Sequence, residues 1–167
     1  MSVPEELLGT REVSSPAEMD RLGRAIGRAL EAGDVIVLNG PLGAGKTTLT
    51  RGIGAGLGVR GPIQSPTFVI ARTHPSLIGG VPLVHVDAYR LGSAVELDDL
   101  DLDVDGSAIV VEWGAGMAEH LAGSWWQIDL VRQSGGRGMD SACNTIAGHT
   151  AELDADAPRT VTITRHP

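Results

Sequence analysis

With 167 residues, 42% of them hydrophobic but only 3% aromatic, the chain is sized for about one domain whose core must be aliphatic. A net charge of −8 with no basic stripe excludes tight gripping of a phosphate backbone, so direct nucleic-acid binding is not expected of the chain alone. No apolar run reaches spanning length, no leader pattern opens the chain, and one cysteine, Cys143, cannot form an internal disulfide; the expectation is no membrane role and a cytoplasmic setting.

Residues 1–9 read as a loose start, followed by a short edge strand over 10–13. Ser14 or Ser15 suits a helix N-cap, Pro16 the first turn and Glu18 the capping-box position. The helix extends to about Leu30, with Leu22, Ile26, Ala29 and Leu30 as its buried stripe, and Gly33-Asp34 closes it. Val35-Ile36-Val37-Leu38-Asn39 is apolar and rich in β-branched residues, which predicts a buried strand.

Gly40-Pro41-Leu42-Gly43-Ala44-Gly45-Lys46-Thr47-Thr48 follows at once. It fits G-x-x-x-x-G-K-[ST] between strand and helix, the context that gives the pattern physical meaning. Backbone N–H groups of such a loop turn inward on phosphate oxygens, and the next helix adds its positive end. Candidate nucleotide contacts are Leu42, Gly43, Ala44, Gly45, Lys46, Thr47 and Thr48. Lys46 is placed for the β- and γ-phosphates of a bound nucleotide and the Thr47 hydroxyl for Mg2+. Lys46 is also the only lysine among 13 Lys and Arg residues, a compact ammonium where a phosphate cradle suits one. Leu49, Ile53 and Leu57 then share one helical face.

Beyond a breaker over 58–62, Pro66 predicts a turn at Ser65-Pro66, a strand from Thr67, and a turn-rich link over 73–80. An apolar strand over 81–87 ends on Asp87; Ser93 caps a short acidic helix over 94–100; residues 102–106 form a loop. Residues 107–113 are another buried strand, reaching Glu112, and a short helix over 114–121 follows. Alternating strands are expected over 125–131 and 159–164. Between them, residues 132–158 are polar and glycine-rich and read as a long loop or partly disordered insertion in a single domain spanning 1–167. The class is α/β, a P-loop NTPase fold with a mainly parallel sheet, antiparallel additions and flanking helices.

A nucleotide-bound Mg2+ needs an acidic residue near the loop threonine, at the end of a buried strand. Asp87 and Glu112 both qualify, one for the metal and one for the attacking water, and the residues alone leave the two roles unassigned. Plainer readings compete: strand-end acids are often only exposed, His85 between Val84 and Val86 reads as a satisfied core residue, and Trp113 as packing under the loop. Of Trp125 and Trp126, on opposite faces of a strand, at most one belongs to the core.

Five separated elements resemble the TsaE (YjeE) family: residues 40–48; Arg51-Gly52 through Leu57-Gly58; Ser65-Pro66-Thr67-Phe68; His85-x-Asp87-x-Tyr89-Arg90; and Val111-Glu112-Trp113. The resemblance implies a Mg2+-dependent ATPase acting with TsaB and TsaD, in which TsaD transfers a threonylcarbamoyl group to an adenosine beside the tRNA anticodon. It further implies Glu112 beside Thr47 on the metal, Asp87 as the acid essential for hydrolysis, residues 65–68 as a switch-type element and Arg159 near the nucleotide. Pro41 departs from the acidic residue common at that place in the family. Lys46, Asp87 and Glu112 are thus the candidate catalytic set.

A small-molecule P-loop kinase is the alternative. It needs an arginine-bearing lid, and residues 132–158 hold only Arg132 and Arg137. A guanine-reading N-K-x-D element is excluded, since no second lysine exists. With no evident arginine finger or water-positioning glutamine, slow intrinsic hydrolysis is expected.

Overall fold

In the computed structural model, which describes residues 3–66, 69–133 and 157–167, seven strands among those residues form one sheet. They are β1 (Gly9–Val13), β2 (Val35–Asn39), β3 (Ala71–His74), β4 (Leu83–Asp87), β5 (Ala108–Glu112), β6 (Trp125–Arg132) and β7 (Arg159–His166), in the order β1-β7-β6-β2-β5-β4-β3. The central β6, β2, β5 and β4 run parallel. β1, β7 and β3 are antiparallel additions at the edges. This is the sheet the sequence predicts.

Alternation along the central strands sorts two cores. Ile36 and Leu38 of β2, Leu83 of β4 and Val110 of β5 pack with α1 (Pro16–Ala29) and α2 (Lys46–Leu57). Val35, Val84, Val86, Ile109 and Val111 face the other way, covered by Leu97 of α3 (Ala94–Asp98) and by loops. Residues with buried side chains on both faces of a strand are what a central parallel sheet demands.

The start of α1 follows from its sequence: the Ser15 hydroxyl accepts the Glu18 N–H at 3.2 Å, and the Glu18 carboxylate accepts the Ser14 N–H at 2.7 Å. Where α1 crosses α2, glycines replace side chains on both. A Cβ on Gly23 would stand 2.5 Å from the Leu49 carbonyl oxygen, and one on Gly52 2.5 Å from that of Asp20. The two helix backbones touch, and α1 is thereby clamped beside the helix that begins at the glycine loop.

Two predicted elements are corrected. The strand expected from Thr67 starts at Ala71 and continues to His74, into the segment read as a link. The Val69 and Ile70 N–H groups both donate to the Pro66 carbonyl, and Ile70 sits at φ 68°, a turn that cannot be a strand; Thr67 and Phe68 lie outside the described residues. The helix expected over 114–121 is only a 3-10 turn at Ala118–His120, because Trp113 and Gly116 adopt left-handed backbone at φ 63° and 79°. The insertion reading falls largely on residues 134–156, with Cys143, outside the described residues. Among the described residues no helix is long and apolar enough to cross a membrane.

Candidate functional site

Because β4, β5 and β2 are parallel neighbours, their C-terminal ends reach the same edge of the sheet, where ligands collect in open α/β folds. The loop over 40–45 leaves β2 there and opens directly into α2, whose N-cap Gly45 has φ 104°. A cleft of about 870 Å3 lies over it, walled by Gly43, Lys46, Thr47, Asp87, Glu112 and Arg159 among others. Leu42, Gly45 and Thr48 also line it. Ala44 does not: its methyl is buried in the core and its N–H donates to the Pro41 carbonyl at 3.1 Å.

Lys46 is buried at the head of α2. Its Nζ donates to the Gly40 and Pro41 carbonyls at 2.7 and 3.0 Å and lies 4.0 Å from the centre of the Trp113 ring. Burial lowers its pKa from the usual lysine value, while the Glu112 and Asp87 carboxylates oppose that shift. Trp113 is therefore under the loop lysine, and its ring meets that of Tyr89 edge-on at 5.3 Å.

Asp87 and Glu112 are direct cross-strand partners at the ends of β4 and β5. Like charges so placed repel, and here each is tied elsewhere. Asp87 accepts the Tyr89 N–H at 3.0 Å. Glu112 is bonded through Oε1 to His85 Nε2 at 2.8 Å. Lys46 supplies the neighbouring positive charge. Both acids thus stand in the cleft with the loop, as strand-end reasoning expects.

Arg159 opens β7, far along the chain, yet its guanidinium donates to the Gly43 carbonyl at 3.3 Å and to the Ala157 carbonyl. The sheet order explains this, since β7 pairs with β6 and β6 with β2, the strand feeding the loop.

Sequence reasoning missed one wall of the cleft: Val13, Ser15, Pro16 and Met19, from the end of β1 and the start of α1. The signal was present as Gly23-x-x-x-Gly27 in one helix and Gly52-x-x-x-Gly56 in the other, spacings that let two helices approach closely. Ser65, from the segment read as a switch-type element, lines the cleft.

Fold and site together define an α/β protein with a glycine loop of the phosphate-binding pattern, faced by two strand-end carboxylates. A family model described as threonylcarbamoyl adenosine biosynthesis protein TsaE matches residues 13–139, and the chain belongs to the TsaE family. A relative from Streptomyces coelicolor, named tRNA threonylcarbamoyladenosine biosynthesis protein TsaE, is 55% identical over 133 residues, covering 78% of this chain and 90% of its own. Relatives of the same name from Mycobacterium tuberculosis and Bacillus subtilis are 49% and 37% identical, covering 75% and 71% of this chain and 80% and 74% of theirs. The crystal structure of Bacillus subtilis YdiB matches with a TM-score of 0.64 at 28% identity, covering 92% of this chain and 82% of that one.

Proposed function

We propose that the chain binds Mg2+–ATP in the cleft and hydrolyses it slowly, in support of threonylcarbamoyl transfer to a tRNA adenosine by TsaB and TsaD. The observation that carries this reading is the convergence of Lys46, Thr47, Asp87 and Glu112 on one cleft at the head of α2. The names borne by the relatives supply the pathway.

The loop amides and the N-terminal end of α2 take the phosphates, and Lys46 exchanges the Gly40 and Pro41 carbonyls for β- and γ-phosphate oxygens. The donors at hand, the Thr47 hydroxyl and the Glu112 carboxylate, are the hard oxygen ligands that Mg2+ takes alongside phosphate. When bound, the ion neutralises charge developing between the β- and γ-phosphates. Asp87, steadied by the Tyr89 amide, orients the water and accepts its proton as the water oxygen bonds to the γ-phosphorus and ADP leaves.

The test is ATP turnover with and without the TsaB–TsaD pair, for the wild-type chain and for Asp87→Ala and Glu112→Ala. Weak turnover alone, stimulation by the partners and loss in both variants are expected. Vigorous turnover indifferent to the partners counts against the reading, and labelled phosphate appearing on a small acceptor rather than in water points to a kinase.

A further inference from the structure

His85 is fully buried one pleat below Asp87, on the face of β4 that looks toward α2. Leu83, which shares that face, packs in the core beneath the helices. A histidine placed there solely to fill space leaves two ring nitrogens to satisfy. One is satisfied, by Glu112 Oε1 at 2.8 Å, and the other, Nδ1, is buried with no hydrogen-bond partner among the described residues. That asymmetry selects a tautomer: a proton on Nε2 serves the carboxylate, whereas a proton on Nδ1 would be a buried donor facing no acceptor.

From this geometry we infer that His85 is a positioning residue for Glu112, holding Oε1 so that the other carboxylate oxygen is presented to the divalent ion of the nucleotide. The inference rests on the Mg2+–ATP reading above and deepens it. The register favours it: Glu112 pairs directly with Asp87, while His85 pairs with Val110, so Glu112 reaches back along the strands to meet the imidazole. The bond draws Glu112 away from the like charge opposite and restricts its rotamers before any ion arrives. Such hydrogen bonds from behind a ligating group commonly govern metal affinity by about 10- to 100-fold when removed.

Substitutions separate this role from space-filling. His85→Leu keeps the volume and removes the donor; His85→Gln places an amide N–H near the position of Nε2; His85→Asn places one near Nδ1, too short to reach Glu112. Affinity for a non-hydrolysable ATP analogue is measured by calorimetry on the full chain, once with excess Mg2+ and once with chelator, and the ratio of the two is the readout. The Leu and Asn variants are expected to shrink that ratio by about 10-fold, with affinity in chelator unchanged, and the Gln variant to stay within about 3-fold of wild type. The Gln–Asn comparison decides the matter if the Leu variant does not fold. A Leu or Asn variant with the wild-type ratio, a Gln variant no better than Asn, or an equal loss of affinity in chelator overturns the inference. Glu112→Ala tells the two readings apart: if it leaves the ratio unchanged, the metal assignment of Glu112 itself fails, whereas a reduced ratio there with no effect at His85 removes only the positioning role.

Discussion

The ammonium of Lys46 rests 4.0 Å from the centre of the Trp113 ring while donating to two carbonyls of its own loop. A cation over an indole face is worth on the order of 0.5–2 kcal/mol, which a triphosphate at close range exceeds through several charge-assisted bonds. Binding should therefore withdraw Lys46 from the ring and change the indole's surroundings. Intrinsic tryptophan emission is expected to shift on titration with ATP, with the response abolished in Trp113→Phe and in Lys46→Ala but retained in Trp125→Phe. A full response in Trp113→Phe would show that the lysine stays where it is.

Asp87 and Glu112 occupy equivalent places on neighbouring strands, but their supports differ, a backbone amide for one and an imidazole for the other. Asp87→Asn keeps an oxygen for the Tyr89 N–H while removing the carboxylate proposed above as the base. Nucleotide affinity should stay within about 3-fold of wild type while partner-stimulated turnover falls by about 100-fold or more, the usual worth of a general base. Single-turnover measurements at saturating ATP check it; a change in affinity with turnover intact would reverse the roles given to the two acids.

Much of this site could be read from the chain, because its signals are local. The β-branched run before Gly40, the loop itself and the Leu49, Ile53, Leu57 spacing each lie within one element, and the structure repeats them. The Ser15 cap is equally local. Trp113 reads as packing under the loop and the resemblance implies Arg159 near the nucleotide, but the groups they meet depend on neighbours distant in the chain. Arg159 reaches Gly43 only because β7 and β6 intervene between the chain's end and β2, and Lys46 meets Trp113 only because β5 lies beside β2. The misplaced β3 and the missing helix after Trp113 have another cause: Ile70 and Trp113 take left-handed backbone that their side-chain types disfavour, so composition pointed elsewhere.

The glycine contact between α1 and α2 sets two small effects against each other. Gly to Ala inside a helix ordinarily gains up to about 1 kcal/mol in propensity. A Cβ on Gly27, however, would lie 2.1 Å from the Ile53 carbonyl oxygen, a backbone atom that yields only if the helices part. Overpacking of that kind costs about 1–3 kcal/mol, so Gly27→Ala should be destabilising on balance, at about 2–4 °C in Tm for each kcal/mol. Gly54→Ala is the comparison, since its Cβ would meet the flexible end of Ile63 at 2.0 Å, which can rotate away, and its Tm should stay closer to wild type. Thermal melts of the two variants should rank in that order, and a Gly27→Ala chain more stable than wild type would mean the helices are not held in contact.

His74 makes stability depend on pH near neutrality. It is buried on β3, its Nδ1 donates to the Arg60 carbonyl at 3.0 Å, and its Nε2 is buried without a hydrogen-bond partner among the described residues. A second proton would thus go to a nitrogen with no acceptor. Its pKa is lowered from the ordinary 6.5, chiefly by burial; the Arg60 carbonyl bond opposes this, and His85 and Arg72 lower it further. The sign follows: below about 6.5 the unfolded chain binds the proton while the folded chain resists it, so this contribution is whole above that pH and drains away as pH falls toward the folded-state value. The melting temperature of the wild-type chain should therefore drop more between about pH 7.5 and about pH 5.5 than that of His74→Leu, a variant that cannot take the proton. Melts of the two chains across that interval check it, and parallel curves would mean that His74 accepts its second proton as readily folded as unfolded.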